Sequence, residues 1–193
     1  MEKVISQYTA AFDELNVLTE TSYKSAGGDS EARVEEIADD ILSFLIHAYT
    51  MGVDHASTML DYALIASVDA MDEAIFLSIE GKTFEDRVAD HVKAQDIKAL
   101  QTLVESEFHR VYNAALYDGG EQAAKGGNHS VTKEWITVRD PKVRQTHEYL
   151  EGHRVALNEE FYTFDGDHAA FPGHFRKAEN NVNCRCIIRL SRV

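Results

Sequence analysis

Through most of the first 118 residues apolar side chains recur at intervals of three and four, and this periodicity constrains the fold more than any other feature of the chain. Val4, Tyr8, Phe12 and Leu15 form one stripe, and Val34, Ile37, Ile41, Phe44 and Ala48 form a second. A third runs Leu60, Leu64, Val68, Met71, Ile75, Ile79, and a fourth Ile97, Leu100, Val104, Phe108, Val111, Ala115. Such spacing gathers apolar groups on one face of an α-helix. Each face must be covered, so the stripes predict helical hairpins or a helical bundle. Ser30 and Asp96 are suited to cap helix starts, and Gly52 and Gly81 to the left-handed position just past helix ends.

The texture changes after residue 118. The segment DGGEQAAKGGN at 118–128 holds four of the chain's 11 glycines, and a linker is expected over 119–130. Beyond it come short strand-like runs at 130–138, 153–157, 160–164 and 186–190. One helix is predicted among them, from Asp140 to Glu151, with Asp140 as N-cap, Pro141 at the first helical position and Gly152 just past the end. The expected fold is therefore α+β: a mainly α-helical region over 1–118, the linker, and a small C-terminal α+β domain over 131–193.

Charge divides along the same line. Residues 1–130 carry 9 Lys+Arg against 24 Asp+Glu, whereas residues 131–193 carry 10 against 9. Acidic helices repel phosphate, which argues against tight wrapping of nucleic acid by that region. DNA contact, if made, falls to Arg139, Lys142, Arg144, Arg154, Arg176, Lys177, Arg185 and Arg189. The N-terminus has no apolar run before Asp13, unlike a signal peptide, and the longest apolar stretch, 41–49, is far short of the roughly 18 residues of a membrane span. A soluble, non-secreted protein with no membrane partner is expected.

Both cysteines, Cys184 and Cys186, flank Arg185 in the segment NVNCRCIIRL. Residues two apart in an extended chain point to the same side, so two sulfurs would share one face, in a poor geometry for a disulfide between them. They are either small buried hydrophobes or soft ligands for zinc, completed by His147 and one of His153, Asp167, His168 or His174. His147 falls on the inward stripe of its helix with Val143 and Leu150. Phosphate-binding glycine loops, G-x-S-x-G and H-E-x-x-H are absent from the sequence. The enzymatic alternative is a nuclease-like or toxin-like site drawn from His129, His147, His153, His168 and His174 with Glu148, Glu159 and Glu160.

Several of these elements occur together in a known order. KEWITVRDPKVRQTHEYLEG at 133–152, EFYTF at 160–164, FPGHF at 171–175 and NCRC at 183–186 resemble the C-terminal signature of the phage Mu F-like minor head proteins. AYTMGVDHA at 48–56 and EFHRVYNAALYDGG at 107–120 are similar to that family's helical region. The resemblance makes Trp135, Arg144, His147, Gly152, Pro172, Gly173, Asn183, Cys184, Arg185 and Cys186 the structural motif. In the family an acidic residue and a proline usually follow the Pro-Gly turn. Here His174 and Phe175 do, and His174 joins His147, Cys184 and Cys186 as a possible metal ligand. Longer relatives carry further enzymatic or toxin domains, whereas this sequence stops at Val193, and no catalytic residue is expected. The resemblance implies a minor capsid protein of a tailed phage, in the capsid interior or at the portal vertex. Its partners would be the portal protein, the major capsid protein or both, with an effect on viral DNA packaging or ejection. No cofactor is required, zinc being the candidate if one is held.

Overall fold

A computed structural model describes residues 2–28, 30–127 and 130–193. The expected α+β architecture is present. Five helices come first: α1 (Glu2–Ser25), α2 (Ser30–Leu60), α3 (Val68–Ile75), α4 (Phe84–Lys93) and α5 (Ile97–Gly127). The C-terminal part comprises β1 (Val131–Ile136), α6 (Gln145–Glu148), β2 (Arg154–Ala156), β3 (Phe161–Tyr162), β4 (His168–Ala169), α7 (Ala178–Asn181) and β5 (Ile187–Arg192). No described helix is long and apolar enough to cross a membrane.

The stripes do what their spacing requires. Tyr8 and Leu15 of α1, Ile37, Ile41 and Ala48 of α2, and Leu100, Val104 and Phe108 of α5 are all buried in one apolar core. Asp96 caps α5 by accepting the Ala99 N–H at 3.0 Å. The third stripe is not one helix. It breaks at Asp61, where the backbone takes φ +46°, and Ser57 Oγ secures the turn by donating to the Tyr62 carbonyl and accepting the Leu64 N–H.

The glycines account for two departures from expectation. Gly52 does not end a helix. It lies inside α2, where an added Cβ would meet Ala115 Cβ at 2.6 Å and the Tyr112 carbonyl oxygen at 2.7 Å. Gly119 meets Ala56 in the same way at 2.6 Å, so Gly52 and Ala56 of α2 face Ala115 and Gly119 of α5 across a close helix crossing. The expected linker at 119–130 is consequently helix as far as Gly127, with 128 and 129 outside the described residues. Glycine costs about 1 kcal/mol in a helix interior, and tertiary packing overrides that preference here. Gly81 does take a left-handed conformation, beside Glu80 in the tight turn that bridges Ile79 and Lys82.

The C-terminal sheet has the order β2-β1-β5, antiparallel throughout. Lys133 and Trp135 of β1 pair with Leu190 and Ile188 of β5, which sets these four residues on one face. That face lies against the helices: Lys133 Nζ sits 4.8 Å from the Tyr117 ring centre, and Leu190 approaches Gly120. On the other face Glu134 lies opposite both Arg154 and Arg189 and pairs with each. The apolar core runs without interruption from the helices into the sheet.

Candidate functional site

Trp135, His147, Cys184 and Cys186 of the motif are buried together, whereas Gly152 and Asn183 are exposed. Trp135, fully buried, is the centre. Its ring lies 5.3 Å from His147, 5.2 Å from Phe161 and 5.6 Å from Phe175, centroid to centroid. His147 in turn stacks on Phe175 at 5.4 Å.

The helix that carries His147 is shorter than predicted. Asp140 does not cap it. Asp140 instead closes a turn by accepting the Lys142 N–H at 2.9 Å and receives two hydrogen bonds from Arg185, at 2.7 and 2.9 Å. The helix begins only after Arg144, whose backbone is extended and whose guanidinium donates to the carbonyls of Glu179 and Val182. Pro141 therefore occupies the turn. Gly152 adopts φ +75° as expected and donates its N–H to the Trp135 carbonyl at 2.8 Å.

Pro172 and Gly173 form a reverse turn closed by the His174 N–H on the Phe171 carbonyl, with Gly173 at φ +87°. Proline followed by a glycine of positive φ is the signature of a type II turn. A side chain at Gly173 would also strike the α5 backbone, since its Cβ would lie 3.0 Å from Arg110 Cα. Asn183, at φ +56°, reverses the chain just before Cys184.

Cys184 and Cys186 are free and buried, and both sulfurs lie 3.5 Å from His147 Nδ1. Arg185 points the other way, to Asp140, as the extended geometry predicts. The Cys184 thiol would be raised by burial, but hydrogen bonds to Cys186, His109 and His147 and the charge of His109 hold it well below the ordinary thiol value. Cys186 moves oppositely, pushed well up by its hydrogen bond to Cys184 and by burial. His147, Cys184 and Cys186 are the single potential metal-ligand group among the described residues.

The other expected ligands are elsewhere. His174 stacks on Phe171 at 4.8 Å and lines a separate cleft, so it is not part of this cluster. Asp167 accepts from Asn180 Nδ2 and from the backbone N–H groups of His168, Arg176 and Lys177, organising the loop before α7. His168 pairs with Glu160 at 2.6 Å, and His153 packs edge-on against Tyr149. Each of these histidines has its own neighbour, and no common acid–base centre forms among them. His129 lies outside the described residues.

Three residues of α5 escaped the sequence reading. His109 is fully buried and shares a 2.8 Å hydrogen bond with the Tyr8 hydroxyl. Glu107 accepts from Arg87 at 2.7 Å and from Arg110 at 2.7 and 3.2 Å. Burial alone would raise the Glu107 carboxyl, but Arg110 and Arg87 outweigh it and hold the group below its ordinary value. These ion pairs form one wall of the cleft that His174 lines, a cavity of about 770 Å³. A polar residue on a helical stripe is the only sequence signal that could have marked them. Lys133 is buried over the Tyr117 and Phe161 rings with no hydrogen-bond acceptor for its Nζ, and burial pushes it down to about 8.

A profile of the family described as Phage Mu protein F like protein matches residues 68–189. The minor head protein GP7 of Bacillus phage SPP1 is 35% identical over 83 residues, covering 43% of this chain and 26% of that protein. The NAD(+)–arginine ADP-ribosyltransferase EFV of Enterococcus faecalis is 28% identical over 153 residues, covering 78% of this chain and 31% of the relative. Each match thus spans less than a third of the relative's length. No solved structure matches.

Proposed function

The chain belongs to the Phage Mu protein F like family, and from that membership we propose that it is a structural minor head protein of a tailed bacteriophage. The match across residues 68–189 carries this reading, supported by the similarity to a protein named as a minor head protein. In this role the chain associates with the portal protein, the inner surface of the major capsid protein or both during head morphogenesis. It resides in the virion and acts through surfaces rather than through a chemical step.

The arrangement of the motif supports a fastening role. Trp135, Arg144, Gly152, Gly173 and Arg185 each hold one segment of the C-terminal unit against another or against α5. The charges favour a protein partner over DNA. Arg139, Arg154, Lys177, Arg185 and Arg189 all pair with carboxylates of the fold itself, which leaves little uncompensated positive charge for phosphate.

Mass spectrometry of purified particles and co-purification with the portal and major capsid proteins test the reading. The chain should be recovered in particles at low copy number and should hold one of those two proteins through gel filtration. Absence from both procapsids and mature particles would refute it. A second reading, an ADP-ribosyl transfer enzyme, has the similarity to the Enterococcus relative in its favour. It predicts that the purified chain moves label from NAD+ to an arginine acceptor. No transfer, under conditions in which a known arginine-specific transferase is active, would remove it.

A further inference from the structure

We propose that His147, Cys184 and Cys186 form a buried three-ligand site for a soft divalent ion, zinc by class, which clasps the segment before β5 to α6. The distances carry this inference. With Zn–S near 2.3 Å and Zn–N near 2.0–2.1 Å, tetrahedral angles put a thiolate sulfur and an imidazole nitrogen about 3.5 Å apart. Both Cys184 Sγ and Cys186 Sγ stand 3.5 Å from His147 Nδ1, and the three ligand atoms all lie within 4.8 Å of one another. Ordinary packing of thiols and a ring does not require both sulfurs to converge on one nitrogen. The donor set is soft, the surroundings are Trp135 and Phe175, and no carboxylate takes part, which selects the zinc class over calcium or magnesium. A void of about 10 Å³ opens against the same three side chains, room for an ion but not for an organic ligand.

His109 of α5 is outside this group of mutually close ligand atoms. It is fully buried, its Nδ1 meets the Tyr8 hydroxyl at 2.8 Å, and Asn113 Nδ2 lies 3.4 Å from both ring nitrogens. His147 belongs to α6 and the cysteines to the segment before β5, 37 and 39 residues further on. Such a site contributes its binding free energy to the docking of the two parts. The inference is independent of the head-protein reading, because a zinc clasp serves a structural or an enzymatic chain equally.

The test uses the full chain, purified under reducing conditions without chelator. Elemental analysis should find about one zinc per chain, and almost none in the Cys184→Ser, Cys186→Ser variant. Cobalt(II) added to the metal-free wild type should produce the thiolate charge-transfer and intense visible bands of a tetrahedral site. His147→Gln, with its fold checked by circular dichroism, should bind at least about tenfold more weakly. Chelation should lower the Tm by about 5–10 °C, the shift expected when a ligand is present at roughly 100 times its dissociation constant. A folded, reduced wild type that carries no zinc and gives no thiolate–cobalt bands would overturn the site. Unchanged affinity in folded His147→Gln would overturn the role of His147. The wild-type cobalt spectrum decides the existence of the site even where a cysteine variant fails to fold.

Discussion

Replacing Glu107 by glutamine tests the most strongly buried charge cluster in the protein. The carboxylate accepts three charge-assisted hydrogen bonds, one from Arg87 and two from Arg110, and the Glu107 and Arg110 side chains are only 3% and 6% exposed. Removing one partner of a buried pair typically costs about 3–5 kcal/mol, because the remaining charge stays unpaired. Two features lower that figure here: Arg87 is 12% exposed, and the glutamine carbonyl can still accept from one guanidinium. The expected loss is about 2–4 kcal/mol. The pH dependence gives a second handle. Glu107 titrates below its ordinary value of 4.5 in the folded state, so its contribution is fully present above that value and is lost as the pH falls through the folded pKa. Urea unfolding of wild type and Glu107→Gln should therefore show the full difference at pH 7 and a shrinking one below about pH 4.5. Adding Arg110→Met to Glu107→Gln should recover part of the loss, since it removes the orphaned buried cation. A difference at pH 7 under about 0.5 kcal/mol, within the range of an ordinary surface substitution, would refute the reasoning.

Three further outcomes follow from the geometry. Gly52→Val places carbon 2.6 Å from Ala115 Cβ and should destabilise by about 1–3 kcal/mol through separation of α2 from α5, read by urea unfolding; an unchanged midpoint would mean the helices do not cross so closely. Lys133→Met should stabilise the protein at pH 7 by about 1–2 kcal/mol, because the lysine is held down to about 8 and folding disfavours its charged form. That gain should fade as the pH rises from about 8 toward 10.5, where the unfolded lysine also becomes neutral, and a gain independent of pH would contradict the assignment. Trp135, the only tryptophan, sits where the sheet meets the helices, so its fluorescence and the helical circular dichroism should report one superimposable unfolding transition. An earlier fluorescence transition would make the C-terminal unit a separately folding domain.

The helices were legible because their signal is local. Val34, Ile37 and Ile41 face inward on α2 for the reason their spacing suggests, and Asp96 caps α5 as its position predicts. The Pro172-Gly173 turn and the positive φ of Gly152 follow equally from the chemistry of single residues. The extended Cys184-Arg185-Cys186 segment also fixes by itself which side chains share a face: two sulfurs toward His147, one guanidinium toward Asp140. Whatever depended on a neighbour distant in sequence was decided by the tertiary structure. Gly119 and Gly120 read as a linker because isolated glycine weakens a helix, yet α5 continues through them because Ala56, Leu64 and Leu157 approach where a side chain would stand. Asn113 of α5 lies 73 residues before Cys186 in the chain, and only the docking of the C-terminal unit on α5 lets its Nδ2 donate to the Cys186 carbonyl at 3.3 Å. His174 had the right side chain for a ligand but follows a turn that directs it to the cleft beside Arg110. The sequence by itself determined the helix faces, the turns and the shared face of the cysteines, because backbone sterics and hydrophobic periodicity act over a few residues. The tertiary structure alone decided the helix crossing, the buried charges and the company of the sulfurs, because close packing couples groups that the chain holds far apart.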